Sequence, residues 1–162
     1  MKRVTVRQSP VHGKGVFALL AMRAGERIFE YKGMVTTWRE AARWNARRGH
    51  SDHADHSGHT FLFGLADGRV IDGGRGGNGA RWLNHACAAN CEAIEDNGRI
   101  FIEAIRDIAP GEELFIDYAL ELEIGQQAAD DAQRDYACRC GAPLCRGTML
   151  GQVAASALVL AV

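Results

Sequence analysis

The sequence predicts a mostly β domain, built from short strands, with one short inserted helix region. Its 162 residues are the length of one domain. Turn signals recur between short apolar runs, at Ala66-Asp67-Gly68, Asp96-Asn97-Gly98 and Pro110-Gly111. The clearest helical signal follows Thr37. Many short strands with little helix indicate an irregular β-rich fold.

Each predicted strand is a short apolar or alternating run next to glycine, proline or a turn. The predicted strands cover residues 3–7, 16–18, 27–31, 61–65, 69–72, 92–95, 99–105 and 113–116. Thr37 and Glu40 have the spacing of a capping box, which predicts a helix of about three turns ending near residue 48. Residues 121–135 are acidic and are predicted to form a partly helical connector.

Charge is balanced overall but unevenly distributed. The formal net charge is −1, which argues against direct nucleic-acid binding through bulk charge. Lys and Arg outnumber Asp and Glu by 11 to 5 in residues 1–60, but number 8 against 15 in residues 61–162. The second part would therefore present an acidic face to a basic partner. Sixteen arginines beside three lysines suggest a GC-rich bacterial genome.

The ends of the chain show neither a secretory signal nor a membrane span. The first apolar run, residues 16–22, is too short for a signal, which favours a cytoplasmic location. The apolar tail, residues 151–162, is shorter than the roughly 20 residues that a membrane helix needs. We expect it to pack on the body of a monomer, with a homodimer contact as the alternative.

Three of the five cysteines lie together in a turn-rich loop, Cys138-Arg-Cys140-Gly-Ala-Pro-Leu-Cys145. Clustered thiolates on a loop without a core of its own are typical of a zinc site. Three ligands leave one position open, either for water, as in a catalytic site, or for a distant cysteine, as in a structural one. Cys87 and Cys91 are the thiols that remain.

A second possible metal motif is the run of four histidines, His50, His53, His56 and His59, at every third position. No cysteine accompanies them, and the segment is rich in polar residues and glycine. A solvated loop is the favoured interpretation.

Three separated segments carry recognisable motifs. The first is Gly13-Lys14-Gly15-Val16-Phe17-Ala18. The second is Arg81-Trp82-Leu83-Asn84-His85-Ala86-Cys87, followed by Asn90-Cys91. The third ends in Gly111-Glu112-Glu113-Leu114-Phe115-Ile116-Asp117-Tyr118. In order and spacing they resemble the SET domain, the fold of protein-lysine methyltransferases, and the Cys138–Cys145 loop is similar to the family's post-SET motif.

The resemblance covers residues 3–150, with three departures. Ala86 and Ala89 stand where the family usually has Ser and Pro, and Phe61 stands where a cofactor-contacting Tyr is common. Both alanines are small, so the loop is still expected to form.

The resemblance implies the family's SET-domain fold of small curled β-sheets, with a pseudoknot in which the segments around Asn84 and Tyr118 meet. In the pseudoknot one segment of the chain passes through a loop formed by an earlier segment, whereas connections in most folds do not thread through loops. The implied boundaries are a SET domain over residues 1–120 with an insert at about 37–60, an acidic connector over 121–135, a zinc-binding post-SET loop over 136–150 and the apolar tail.

The implied activity is transfer of a methyl group from S-adenosylmethionine to a lysine of a basic protein, histone-like or histone. If the source is bacterial, the substrate is either an endogenous protein or, after delivery into a host cell, a host histone. A cofactor-binding or zinc-stabilised interaction module without turnover is the alternative, and a hydrolytic zinc enzyme would need an open metal position.

The resemblance also assigns roles to single residues. Tyr118 is the catalytic candidate, and His85 as a general base is an alternative. Tyr31 and Ile116 would line the lysine channel, although Tyr31 is equally suited to core packing. Ile116 has no hydroxyl to hold a water in the space of an extra methyl, so we expect di- or trimethylation. The expected cofactor-binding residues are Gly13, Lys14, Gly15, Phe61, Asn84, His85 and Tyr136.

The fourth zinc ligand implied by the family is Cys87, together with Cys138, Cys140 and Cys145. Such an all-thiolate site would be closed and structural, with one zinc ion. Cys91 would then be a buried apolar residue. Lys14 has a second interpretation as a plain surface lysine.

Overall fold

A computed structural model describes residues 2–48, 61–120 and 134–151. The histidine run, most of the acidic connector and the apolar tail beyond residue 151 lie outside these residues. Within them, the elements are ten strands, one α-helix and one 3₁₀ turn. The strands are β1 Val4–Gln8, β2 Lys14–Ala18, β3 Arg27–Tyr31, β4 Met34–Thr36, β5 Leu62–Gly64, β6 Val70–Asp72, β7 Asn84–His85, β8 Cys91–Asp96, β9 Arg99–Ala104 and β10 Glu113–Ile116. The helix α1 is Trp38–Arg48, and the 3₁₀ turn is Gly79–Trp82.

The first sheet has the order β1-β2-β10-β7, so the first two strands of the chain and the last one lie in the same sheet. β2 pairs antiparallel with both β1 and β10. β7 pairs parallel with β10, with Asn84 opposite Phe115 and His85 opposite Ile116. The sequence did not predict β7, because two residues are too few for an alternation signal. Its pairing brings two of the motif segments side by side.

The second sheet has the order β3-β9-β8 and is built on the predicted hairpin. Asn97 and Gly98 both have positive φ, 52° and 72°, as a two-residue hairpin turn requires. Ile100 and Ile102 alternate with Arg99 and more exposed neighbours along β9, and both isoleucines are fully buried. This alternation explains why the sequence predicted β9 well.

The third sheet has the order β4-β6-β5 and carries the inserted helix. Thr37 Oγ1 accepts a hydrogen bond from Glu40 N at 3.3 Å, which confirms the predicted N-terminal cap. Ala41 of α1 is buried with Leu62 and Val70 beneath it. The edge strand β4 was not predicted, since it has three residues and most of its surface is exposed.

One hydrophobic core connects the three sheets. It contains Val16 and Leu114 from the first sheet, Ile100 from the second, and Phe63 and Ile71 from the third. No helix in the part of the chain that the structure describes has the length and apolarity needed to span a bilayer. The motif segments border this core, so their positions are fixed by its packing.

Close packing at Gly15 gives a test of the fold. A Cβ atom added at Gly15 would lie 2.7 Å from Cδ of the buried Glu113 side chain and closer still to Oε1. Gly15→Ala is expected to destabilise the domain by about 2 kcal/mol, because a hydrogen-bonded buried carboxylate cannot move aside. Urea unfolding measures this difference.

The matched control is Gly79→Ala, where the added atom would meet a single methyl group, Cγ2 of the exposed Val6, at 3.1 Å. That variant is expected to remain within about 0.5 kcal/mol of the wild type. Equal stability of the Gly15 variant and the wild type would contradict the described packing.

Candidate active site

The segments around Asn84 and Tyr118 meet, as the resemblance implied. Tyr118 N donates a hydrogen bond to His85 Nδ1 at 3.1 Å, and the Tyr118 hydroxyl donates to Leu83 O at 2.5 Å. The His85 and Tyr118 rings lie 5.4 Å apart, centroid to centroid. Ala86 N donates to Ile116 O at 3.2 Å, so the small residue in this motif position still allows the backbone pairing. One hydrogen-bonded unit therefore holds both segments.

The Tyr118 phenol is a partly buried hydrogen-bond donor. Burial raises the pKa of Tyr118 far above its ordinary value, and the nearby Glu113 carboxylate raises it further. The hydroxyl is therefore protonated at neutral pH. Because its one hydrogen is donated to Leu83 O, its oxygen can accept an N–H from a substrate amine, but it does not act as a base in this state.

His85 is neutral, and its ring nitrogens are both engaged. Burial is the main cause that lowers the pKa of His85 to about 4; Arg146 also lowers it and Asp117 opposes the shift. Nδ1 accepts the Tyr118 N–H, so the ring proton lies on Nε2, which is 3.4 Å from Cys87 Sγ. Since the lone pair of Nδ1 faces the backbone, the structure does not support His85 as a general base.

Asn84 ties the glycine loop to this unit. Its Nδ2 donates to Lys14 O at 3.0 Å and to His12 O at 3.2 Å. Gly13 has a φ of 48°, a left-handed conformation that glycine adopts without strain. The loop that the sequence singled out is thereby fixed against β7.

Glu113 is a buried residue of the third motif segment, and its role could not be assigned from the sequence. Its Oε1 accepts from Asn84 Nδ2 and its Oε2 accepts from Ser9 Oγ, both at 2.9 Å. Within the described ranges, no Lys, Arg or His nitrogen lies within 4.0 Å of this carboxylate. The absence of a side chain at Gly15 leaves the space that the Glu113 carboxyl group occupies. The signal for it was the pair of adjacent acidic residues at the start of an otherwise apolar strand.

Asn90 is a second residue whose role the sequence did not reveal. It is almost fully buried, and its side chain accepts from Phe115 N at 2.8 Å and donates to Glu113 O at 2.7 Å. It therefore fixes β10 from the side of the asparagine–histidine segment. Its only sequence signal was its place in the motif.

The remaining cofactor candidates, Phe61, Lys14 and Tyr136, do not share one position. The Phe61 ring packs edge-on against Trp82 at 5.0 Å, and Lys14 Nζ lies 4.7 Å from the Trp82 ring centroid. Tyr136 lies at the start of the Cys loop, where its carbonyl accepts from Met149 N at 2.8 Å. No hydrogen bond or ring contact among the described residues joins Tyr136 to Asn84 or His85.

The two channel candidates are both buried. Tyr31 is part of the main core, packs against Phe63 at 5.4 Å, and donates its hydroxyl hydrogen to Phe61 O at 2.9 Å. Burial raises the pKa of Tyr31 strongly, with Tyr118 and Asp72 adding to the shift. Tyr31 is therefore part of the hydrophobic core and also lies near Tyr118. Ile116 is 3% exposed and lies opposite His85 in the pairing of β10 with β7.

Four cysteine sulfurs form one cluster. The Sγ atoms of Cys87, Cys138, Cys140 and Cys145 all lie within 4.8 Å of one another. Cys87 Sγ is 3.6 Å from Cys138 Sγ and 3.8 Å from Cys145 Sγ. Zinc bound tetrahedrally at about 2.3 Å from each sulfur would place the sulfurs about 3.8 Å apart. The cluster could therefore hold a metal ion.

The polar surroundings of the cluster suit thiolates. Backbone N–H groups of Cys140, Arg146 and Gly147 each donate to a cluster sulfur at 3.4 Å. Burial is the largest cause that raises the pKa of Cys87 and Cys138, whereas hydrogen bonds outweigh burial at Cys140 and lower its pKa to about 7. A bound cation is what would allow all four sulfurs to be deprotonated together.

Cys91 lies outside the cluster, as predicted. Its side chain is 1% exposed and belongs to the main core. Burial raises the pKa of Cys91 to about 12, so the thiol remains protonated and unreactive at neutral pH.

Comparison with known proteins gives consistent matches. The SET domain profile matches residues 13–119. A "Histone-lysine N-methyltransferase, H3 lysine-4 specific" from Yarrowia lipolytica is 37% identical over 150 residues, which cover 90% of this chain and 12% of the relative. A Saccharomyces cerevisiae protein of the same description is also 37% identical over 150 residues, with 90% and 13% covered. "Histone-lysine N-methyltransferase ATX2" from Arabidopsis thaliana is 36% identical over 157 residues, with 91% and 13% covered.

The chain spans 12–13% of the length of these three relatives. All three are eukaryotic proteins, so the bacterial origin suggested by the arginine content stays a prediction. The profile covers every motif segment of the predicted SET domain, and those segments converge on one buried unit. The chain therefore belongs to the SET-domain family.

Proposed function

We propose that this chain is a protein-lysine methyltransferase that uses S-adenosylmethionine. The observation that carries the proposal is the junction of Tyr118 with Leu83 and His85, at 2.5 and 3.1 Å. Through this junction a partly buried phenol lies beside the segment that is expected to hold the cofactor. When bound, S-adenosylmethionine supplies a methyl group on a sulfonium sulfur.

The described residues fit a cationic cofactor. Glu113 is a buried carboxyl group whose hydrogen bonds come from the neutral groups of Ser9 and Asn84. A buried carboxylate without a positive partner is costly, and a nearby cation reduces that cost. Gly13, Lys14 and Gly15, held by Asn84, would bind the methionine end, and the backbone of Asn84 and His85 would bind the adenine.

The protein's main task is to bind the lysine as a neutral amine. An ordinary lysine has a pKa of about 10.4, so deprotonation near pH 7 costs roughly 4–5 kcal/mol. A lysine channel beside the buried side chains of Tyr31 and Ile116 would lower that cost, because burial disfavours the ammonium form. The proton leaves to water, and no residue is required as the base.

Tyr118 would orient the attacking nitrogen. Its hydroxyl stays protonated, and its position is set by Leu83 O on one side and the His85 ring on the other. Displacement at a methyl group needs the nitrogen in line with the bond that breaks, so fixed orientation supplies much of the rate.

The proposed substrate is a lysine in a basic protein, such as a histone tail. The Yarrowia and Saccharomyces relatives are named for lysine 4 of histone H3, and the acidic balance of residues 61–162 suits a basic peptide.

We also propose that the Cys cluster binds one structural zinc ion. Four thiolate ligands close the coordination sphere, which leaves no position for a reactive water and argues against a hydrolytic zinc enzyme. The ion would join the Cys loop to the SET domain through Cys87.

Tyr118→Phe tests the catalytic assignment. Removal of the hydroxyl keeps the ring in place, so transfer of tritium from labelled S-adenosylmethionine to mixed histones is expected to fall by about 100-fold or more. The affinity for S-adenosylmethionine, measured by calorimetry, is the control and is expected to change by less than about fivefold, since the fold is retained. Tight cofactor binding by the wild type without transfer to any protein would instead favour an interaction module.

Cys140→Ser tests the zinc site. The wild type is expected to contain about one zinc per chain by elemental analysis, and the variant much less, because one of four thiolate ligands is lost. Cys91→Ala is the matched control and should keep its zinc. Full zinc content in the Cys140 variant would contradict the assignment.

Ile116→Tyr tests the product that the channel allows. The wild type is expected to make di- or trimethyllysine when cofactor is in excess, because Ile116 has no hydroxyl that holds a water beside the amine. The tyrosine variant is expected to stop at monomethyllysine, and mass spectrometry of a reacted histone peptide distinguishes the products. Only monomethyllysine from the wild type would reject the inference.

A further inference from the structure

The Cys loop is attached to the strand end at Tyr118 by one ion pair. Arg146 directly follows Cys145, and its guanidinium donates two hydrogen bonds to the Asp117 carboxylate, both at 2.6 Å. The exposed fraction is 21% for the Arg146 side chain and 39% for Asp117, so the pair is partly shielded from water. Bidentate pairs of this kind fix the orientation of both groups.

Asp117 also shapes the turn that contains Tyr118. Its Oδ1 accepts a hydrogen bond from Ala119 N at 3.1 Å, and Ala119 has a φ of 46°, a conformation that costs energy for alanine. Burial alone would raise the pKa of Asp117, but bonds from Arg146 and Ala119 lower it below its usual value. The carboxylate is therefore charged and holds the backbone on both sides of Tyr118.

Arg146 contacts the Cys cluster through its backbone. Its N–H donates to Cys87 Sγ at 3.4 Å, while its side chain reaches Asp117. One residue thus touches both the metal-binding cluster and the residue before Tyr118.

A further attachment of the loop lies later in the chain. Leu120 N donates to Met149 O at 3.1 Å, and Gly151 N donates to Leu120 O at 2.9 Å. These backbone bonds hold the chain two residues after Tyr118. The Asp117 carboxylate instead contacts Arg146, Ala119 N and, at 3.5 Å, His85 Nδ1, and of these only Arg146 belongs to the Cys loop.

We propose that Arg146 and Asp117 are positioning residues, whose ion pair transmits the position of the Cys loop to the backbone that carries the Tyr118 ring. Neither residue touches the reacting atoms. The inference rests on the proposed function, because it explains how the loop contributes to methyl transfer.

The first test is Arg146→Ala in the full, zinc-loaded chain. We expect kcat to fall by about tenfold or more while KM for S-adenosylmethionine changes by less than about threefold, since only the orientation of Tyr118 is disturbed. Zinc content should not change. The matched control is Arg99→Ala, which removes another bidentate pair, with Glu30 at 2.9 and 2.7 Å on the second sheet, and should leave kcat within about twofold.

The second test reads the backbone directly. Exchange of the Tyr118 amide hydrogen, which is bonded to His85 Nδ1, is expected to be about tenfold faster or more in Arg146→Ala, with β9 amides unchanged. A merely structural role would accelerate exchange throughout the domain. Asp117→Asn, which keeps the size of the side chain, is the second variant and should show the same local effect.

Wild-type kcat and wild-type exchange in both variants would overturn the proposal. Loss of zinc together with activity in Arg146→Ala would also overturn it, because the residue would then serve the metal site itself. If the wild type transfers no methyl group, the proposed function fails, while the exchange experiment still decides whether the ion pair orders Tyr118.

Discussion

The parallel pairing of β7 with β10 is the constraint on which the site depends. It holds two segments side by side that are about thirty residues apart in the chain, and Asn90 secures β10 from the same segment. As a direct result, the Tyr118 hydroxyl donates a hydrogen bond to Leu83 and the Tyr118 amide donates one to His85. Without this pairing, the phenol, the asparagine–histidine pair and the glycine loop would have no common position. The packing of Leu114 and Val16 in the core stabilises it.

Burial is the largest cause of the pKa shifts of Tyr118 and His85 beside this pairing. It keeps Tyr118 protonated and His85 neutral, so both side chains act as fixed hydrogen-bonding groups. Glu113 is a third buried group of this region, and its carboxyl oxygens accept hydrogen bonds from the neutral groups of Ser9 and Asn84. Such an arrangement suits an enzyme that binds a cation and needs no base of its own. The reactivity would come from orientation and from exclusion of water.

Much of the fold could be predicted, because its hairpins carry strong local signals. Asn97-Gly98 and the alternation in β9 define one hairpin, and Thr37 defines the start of the helix. β4 and β7 could not be predicted, since two or three residues show no period and their pairing depends on distant partners. The site residues came from motifs, and the structure brings Asn84, His85 and Tyr118 together. The roles of Glu113 and Asn90 could not be seen, because a buried carboxylate or amide is defined by the groups around it.

The central claim is that the cofactor and the lysine meet where these two segments join. A crystal structure of the zinc-loaded chain with S-adenosylhomocysteine and a lysine-containing histone peptide tests it most directly. The account predicts the cofactor against the backbone of Asn84 and His85, and the lysine nitrogen beside the Tyr118 hydroxyl. A cofactor bound elsewhere, or a lysine far from that hydroxyl, would contradict it.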